Sequence, residues 1–528
     1  MATFDELTLK DAEERIPDRG EDWLKANRAY YHGDHWQDGD GWSGPMLDMK
    51  HKLYSQMLLE IQRAFVSKNT IAEVAERHSA GVIGREPRWR LTVRRPLADG
   101  EEPTAQEQTL IDEAEMLLNG WWEDRGCHKV LREAAETMLL AKRGSLRLFV
   151  PPGLLVDGLV PREPVEEAIG RIYLHHPEPE QAAVPRDRNT MQDIGIYLFE
   201  RNNQKLAELI YLDGDWTVIR LAEATSDEGE EEEQPEPWRF NLGGRLTMFE
   251  MNRRLLITEQ VRQNQKLLNL ALTMLQRNVI QGGFLERTFF NAQLPGKDIP
   301  DPDRPGETKF VPEPLHVGPG ATNFLSGVVT EDDQGNTVVA TPSVVYRNPV
   351  PVETFAETKR EAYSCILEEV DQLHVLITGD ATASGESRKQ AQTDFRQSLL
   401  DSKDQLEKAT AWLLETVLAM AAEFSGQAGR YEELRVDAEC RVDLGPISGD
   451  EQRVARELVE AQIISKRTAM SRVGVDDADA EAGQIATEQE ESSQRQQQSL
   501  ATAVLNAQRQ LAGGQQSTGL EQPEGEEE

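Results

Sequence analysis

Residues 391–424 read AQTDFRQSLLDSKDQLEKATAWLLETVLAMAAEF. Within them Ala391, Phe395, Leu399, Leu406, Ala409, Leu413, Val417, Met420 and Phe424 recur at steps of 4, 4, 7, 3, 4, 4, 3 and 4. That is the period of one helical face. The spacing predicts a helix of about 38 residues, ~57 Å long at ~1.5 Å per residue. Globular helices usually run about three or four turns, so a rod of this length needs neighbours along its whole course. Taken alone, the stripe reads as a coiled-coil or bundle core.

Working towards the N-terminus, Thr378 to Gly385 (TGDATASG) is a Gly/Ser/Thr loop, and Glu353 to Leu376 is helical. Residues 284–352 differ in kind. Ten prolines fall between Pro295 and Pro351, with β-branched clusters at Gly327–Thr330, Thr337–Thr341 and Val344–Tyr346. This predicts a small strand-and-loop module inserted between helices. Ahead of it, Leu246 to Ile280 reads as one long helix, with Gly282-Gly283 as its stop.

Residues 145–221 alternate as strands. Leu206–Leu212 and Trp216–Leu221 flank Asp213-Gly214-Asp215 as a hairpin. Arg88 to Arg94 is a further strand. Asp22–Tyr31, Lys50–His78 (interrupted near 67–69) and Thr109–Ala141 (with Gly126 a candidate break) are helical. Towards the C-terminus, Tyr431–Leu444 predicts one or two strands. Asp450–Ile464, a short helix after Ser465 and Asp476–Gln498 predict helices. The fold class expected is α+β, mainly helical.

Composition narrows the function. The 528 residues carry 93 acidic and 57 basic side chains, a formal charge of −36. A basic footprint for gripping phosphates is missing. That balance still permits lying close to DNA without adhering to it. The best apolar run, Ala411 to Phe424, carries Glu415, and no stretch reaches the ~20 apolar residues of a membrane span. The acidic start lacks the basic-then-apolar order of a signal peptide. Cys127, Cys365 and Cys440 lie far apart, with neither disulfide nor zinc spacing, which fits a reducing cytosol. Ser226–Glu233 packs six acids, as a loop tip or border would. From Asp476 onward twelve acidic and two basic residues make a Gln-rich tail, expected to be disordered beyond about Gln510.

Catalytic signatures are weak. Gly39–Gly44 matches G-x-G-x-x-G in letters only, for no strand precedes it and Pro45 follows. His32, Asp34 and His35 are metal-ligand types, but in an irregular loop they read more simply as polar residues beside Tyr30, Tyr31 and Trp36. No P-loop, H-E-x-x-H or G-x-S-x-G is present. No catalytic residue, metal or cofactor is expected, and no enzyme activity.

Five places, in order, carry a resemblance. They are Ala29-Tyr-Tyr-His-Gly-Asp-His-Trp36; Asn69-Thr-Ile-Ala-Glu73 through Gly84-Arg-Glu-Pro87; Leu174-His-His-Pro-Glu178; Ser384-Gly-Glu-Ser-Arg388; and Ala461-Gln-Ile-Ile-Ser-Lys-Arg-Thr-Ala469 with Val473-Gly-Val-Asp-Asp477. Together they span about residues 25–495, and the chain resembles the portal proteins of tailed double-stranded DNA bacteriophages. The acidic loop at 227–233, the Pro-rich insertion and the Gln-rich tail depart from that pattern.

The resemblance implies a ring, usually of twelve subunits. Its parts would be a wing (1–244, helical then β-rich), a stem helix (245–281), a clip (282–352), a second stem helix (353–376) and a tunnel loop (377–386). The long helix with returning strands (387–445), crown helices (446–500) and the tail (501–528) would follow. Twelve helices ~10 Å across give a bore of ~28 Å, which admits a duplex, whereas eight give ~15 Å. Twelve acidic copies would repel phosphate, letting DNA slide.

Thr378, Gly379, Asp380, Thr382, Ser384, Gly385, Arg388 and Lys389 would face DNA at the tunnel loop. Arg262, Lys266 and Arg277 would face the stem lumen; ion pairing with Glu neighbours is an equal reading of these three, and a plain helix–helix turn is the alternative for the loop. Implied partners are the terminase large subunit, a head-completion adaptor and the major capsid or scaffolding protein. The implied location is the portal vertex of the virion, with assembly in the host cytoplasm. The rival readings are a scaffold or tail-connector protein that never contacts DNA, and a metal-dependent hydrolase using His32, Asp34 and His35.

Overall fold

The long stripe folds as its period requires. In the computed structural model one helix runs unbroken from Gly385 to Phe424. The structure describes residues 4, 7–36, 54–96, 102–155, 160–187, 190–223, 236–283, 287–293, 296–300, 302, 306–313, 326–331, 335, 337–346, 350–379, 385–442, 449–466, 469–470 and 481–487. About 50% of the described residues are helix and 22% strand, a mixed α+β fold. It divides into two units, Met1–Asp443 and Leu444–Glu528.

The first unit opens with α1 (Leu9–Arg15), α2 (Asp22–His32), α3 (Tyr54–Arg63), α4 (Thr70–Ile83) and β1 (Arg88–Val93). Next come α5 (Ala105–Arg125) and α6 (Cys127–Ala141). Gly126 separates these two in the left-handed region, φ +58°, where a side chain is penalised. β2 (Arg143–Phe149), α7 (Val165–Ala168), β3 (Tyr173–His175), β4 (Ala182–Ala183), β5 (Gly195–Arg201), β6 (Gln204–Asp213), β7 (Trp216–Glu223), β8 (Trp238–Asn241) and β9 (Met248–Asn252) form the β-rich part. β4 to β8 make a five-stranded antiparallel meander, and β2 is the centre of a three-stranded sheet between β3 and β9. The β6–β7 hairpin pairs Asp213 with Trp216 across Gly214-Asp215, as the sequence predicts.

α8 (Glu259–Gly283) leads into the module of β10 (Arg287–Phe290), β11 (Ala292–Gln293), β12 (Gly296–Pro300), β13 (Thr308–Pro312), β14 (Ser326–Gly327), β15 (Val329–Glu331), β16 (Thr337–Val339) and β17 (Ser343–Tyr346). α9 (Val352–Glu369), α10 (His374–Gly379), α11 (Gly385–Phe424) and β18 (Leu434–Glu439) complete the unit, and β18 returns to pair with β1. α12 (Gly449–Glu460) and a helical stretch at 481–487 belong to the second unit.

Three boundaries differ from expectation. The helix read over Leu246–Ile280, and with it a stem helix at 245–281, begins instead at Glu259; the residues before it form β9, which pairs with β2 from Arg143↔Asn252 to Arg147↔Met248. A partner 100 residues upstream overrides local helix propensity there. The helix read over 353–376 ends at Glu369, where Asp371 turns left-handed (φ +57°) and Gln372 N–H donates to Leu367 O at 2.7 Å. That is a C-cap of the Schellman kind, made without glycine. The loop expected at 377–386 is correspondingly shorter. Thr378 and Gly379 close α10, and Gly385 opens α11. Asp380, Thr382, Ser384, the Gly39–Gly44 stretch, the acidic run at 227–233 and the tail from 501 lie outside the described residues.

The largest core gathers around the C-terminal half of α11. Leu413, Leu414, Val417, Leu418, Ala421 and Ala422 are buried on every side, against Leu131, Met138, Leu146 and Val436 among others. Thus the rod finds neighbours for this half within its own chain. A second core joins α4, α8 and α9 through Val74, Leu268 and Ile366. In a third, Leu7, Leu9, Ala12 and Ile16 cover one face of the five-stranded sheet.

Candidate functional site

α8 and α9 carry the site the sequence points to. Thr258 Oγ1 donates to Glu369 Oε1 at 3.4 Å, and Asn278 reaches Val350 at the other end, so the two helices run antiparallel. Asn278 Nδ2 donates to Val350 O at 2.7 Å and Asn278 Oδ1 accepts from Val350 N at 2.8 Å, closing the base of the inserted module.

The polar face of α8 is turned inward. Arg262, Gln265, Asn269 and Thr273 recur at steps of 3, 4 and 4, one helical face, and all four are buried. The extended stretch Val66–Thr70 lies along them and offers every second N–H. Thr70 N donates to Gln265 Oε1 (3.1 Å), Lys68 N to Asn269 Oδ1 (3.3 Å) and Val66 N to Thr273 Oγ1 (3.0 Å). Gln265 Nε2 returns a bond to Lys68 O at 2.7 Å, and Thr273 Oγ1 one to Val66 O at 3.3 Å. Side chains of a helix here stand in for a partner strand, which satisfies buried backbone groups that would otherwise be costly.

Arg262 is therefore buried within the subunit, paired with a Glu neighbour. Its Nη1 donates to Asn27 Oδ1 at 2.7 Å, its Nη2 bonds Glu259, and Asn27 Nδ2 donates to Leu140 O (2.8 Å) and Ile257 O (3.2 Å). The guanidinium is buried because it joins α8 to α2. Lys266 and Arg277 are half-buried on the same helix. The outward side of the first turns carries Glu259, Gln260, Gln263 and Leu267. No sequence argument separated these faces, because both are polar; the 3-4-4 spacing of amide and hydroxyl residues was the available signal.

At the other end of α9, the joint to α11 is built on aromatic rings. His374 of α10 stacks on Phe395 of α11, centroids 4.5 Å apart, and His78 of α4 meets the same ring edge-on at 6.3 Å. His78 Nε2 lies 3.1 Å from Ser402 Oγ. Burial first, and the charge of Arg253 second, push His78 down to about 3. His374 is lowered by burial and by Arg77. Gln372 pins the joint: its Nε2 donates to Val74 O at 2.8 Å and its Oε1 accepts from Arg77 at 2.6 Å. Of the expected loop residues, Thr378, Gly379, Gly385, Arg388 and Lys389 fall on the two helix ends beyond this joint.

The described strands of the module between α8 and α9 form only two-stranded ribbons. They pair as β10–β17, β11–β14, β12–β13 and β15–β16. Among the described residues none between 287 and 346 is buried. Phe290 (50%), Val329 (58%), Val339 (61%) and Val345 (52%) stand exposed, and Val329 pairs with Val339. Isolated two-stranded ribbons are marginal in water.

His32, Asp34 and His35 do not converge. His35 is buried, with Nε2 on Tyr30 O (3.1 Å) and Nδ1 on Asn269 Nδ2 (2.8 Å), while His32 and Asp34 are exposed. Among the described residues no group of three or more His, Cys, Asp or Glu is placed to hold a metal ion. Cys127 and Cys440 are buried, and burial raises both thiols to about 12, which makes them poor nucleophiles. No described helix is long and apolar enough to cross a membrane.

No protein-family model matches the chain, and no curated protein matches it.

Proposed function

We propose that the chain is a portal-type subunit, one copy in a ring, usually of twelve, that forms the channel for DNA entry and exit at a capsid vertex. The observation that carries this reading is the inserted module. It sits at the end of an antiparallel helix pair, exposes Phe290, Val329, Val339 and Val345, and buries none of its described residues. Exposed apolar patches of this kind mark interaction sites, and copies of the same module side by side in a ring would cover one another.

The remaining features agree. The order of elements (β-rich body, helix, ribbon module, helix, short joint, long helix, return to the body) is the order a wing, stem, clip and tunnel loop would take. The formal charge of −36 per copy suits a bore that does not retain phosphate. On this reading the module docks the terminase large subunit during filling and an adaptor afterwards. The major capsid or scaffolding protein meets the body, and the particle resides in the virion. It performs no chemistry of its own.

Replacing Val329 and Val339 together by Asp tests the carrying observation. The expected result is loss of the large assembly, with native mass falling from near twelve times 59.4 kDa to that of free subunits, and an unchanged melting transition of the body. An assembly of undiminished mass would overturn the role given to the module.

A further inference from the structure

His35 closes a hydrogen-bond chain whose polarity is fixed at its far end by backbone amides. Thr70 N–H can only donate, so Gln265 presents Oε1 to it, and Gln265 Nε2 then donates to Lys68 O and to Asn269 Oδ1 at 3.0 Å. Lys68 N–H likewise donates to Asn269 Oδ1. Asn269 Nδ2 is left to donate to His35 Nδ1, which must accept, and the ring proton sits on Nε2, facing Tyr30 O. One tautomer of neutral imidazole satisfies every member. A second proton would set Nδ1–H against the Asn269 amide hydrogens at 2.8 Å. Turning the Asn269 amide over would only move the conflict, because its NH2 would then face Lys68 N–H and Gln265 Nε2. The chain has no arrangement that accommodates the cation.

We propose that His35 is a proton-sensitive latch: it holds the turn after α2 and the 64–69 segment against α8 only while its ring is neutral. The surroundings offer little to stabilise a cation in place. Asp34, beside it on the same turn, is exposed, and among the described residues it is the carboxylate whose field favours the charged ring. From the 64–69 segment, Lys68 directs its ammonium to Glu73 (3.2 Å) and the Tyr363 face (4.2 Å), and Asn69, though uncharged, is a polar partner that favours the charged ring and is outweighed by burial. From α8, Arg262 is committed to Glu259 and Asn27. The Tyr30 ring, 5.0 Å away, is neutral. Burial lowers the affinity of the ring for its proton in the folded state. The latch is therefore fully closed above the ordinary histidine range, and it loosens as pH falls below about 6.5.

What the latch frees is a specific contact. Trp36 and Phe65 meet edge-on at 5.3 Å and, with Ile61 of α3, cover Leu270 and Met274 of α8. Acidification uncovers this stretch of α8 while the cores around α11 and the five-stranded sheet stay closed. The inference does not depend on the ring reading.

The test is hydrogen exchange on the full chain from pH 7.5 to 5.5, read as protection factors for peptides covering residues 64–70. Those amides are expected to lose protection by pH 5.5, one unit below the ordinary histidine value, by at most about tenfold, while α5 and α6 keep theirs. The variant His35→Gln, whose amide can accept from Asn269 and donate to Tyr30 O, is expected to abolish the pH dependence. Unchanged protection at 64–70 in the wild-type chain, an equal fall in α5 and α6, or an undiminished pH response in a folded His35→Gln protein would each overturn the proposal. The wild-type profile decides alone if the variant does not fold.

Discussion

Gln265, Asn269 and Thr273 are polar residues put to structural use, and they explain the main error that a reading of the chain invites. Arg262 and its helix look like a solvated, duplex-facing surface in sequence, because charged and amide residues alternate with leucines. Their bonds to Thr70, Lys68 and Val66 turn that face inward. Which way a polar stripe faces depends on a segment some 200 positions away, and that is not written in local periodicity. Asp371 is a second single-residue case. It holds φ +57° at the end of α9, and burial raises its carboxyl pKa, with Asp394 adding to the rise. Glycine adopts this conformation freely. Asp371→Gly is expected to stabilise the body by about 0.5–1 kcal/mol in denaturant unfolding; a loss of stability would mean that the carboxylate does more than occupy a strained position. His78 sets an acid limit. Its folded-state value is depressed to about 3, so the fold favours the neutral ring. That contribution is complete above about 6.5 and declines as pH falls from there towards about 3. His78→Asn is expected to flatten the stability–pH curve in that window.

At the scale of elements, what local period and turn chemistry encode was legible and what distant pairing decides was not. α11 follows from its 3-4 spacing, the α5–α6 break from Gly126, and the β6–β7 hairpin from Asp213-Gly214-Asp215. β9 was hidden because Leu246–Asn252 reads smoothly into the helix behind it; Thr258, whose Oγ1 accepts from Val261 N at 3.3 Å, was the overlooked start signal. The joint beyond α9 was placed about right, but its loop was made too long, since nothing in His374–Gly379 announces a separate turn of helix. The two faces of α11 differ in surroundings, and this gives a test. Leu413 is fully buried in the body, whereas Leu400 is 50% exposed. Leu413→Ala is expected to cost about 2–5 kcal/mol in unfolding of the free subunit, and Leu400→Ala less than about 0.5 kcal/mol. Comparable losses at both positions would mean that the outward face of α11, which carries Leu400, is also enclosed.

For the whole molecule, one part of the sequence argument is corrected and another is sharpened. The long helix does not by itself require a second copy, because Leu413 to Ala422 are enclosed by α5, α6, the sheets and β18 of the same chain. On the proposed ring reading, the need for company moves to the ribbon module at 287–346, where no described side chain is buried. Acidity, which read as a property of a bore, remains a property of the chain, −36 per copy. The claim everything at this scale rests on is closure of these subunits around a hole. Class-averaged images of the purified full-length particle test it most directly. The account predicts closed rings with a central opening of about 28 Å, the width left by twelve helices of ~10 Å diameter; a stable single subunit, or an assembly solid at its centre, would contradict it.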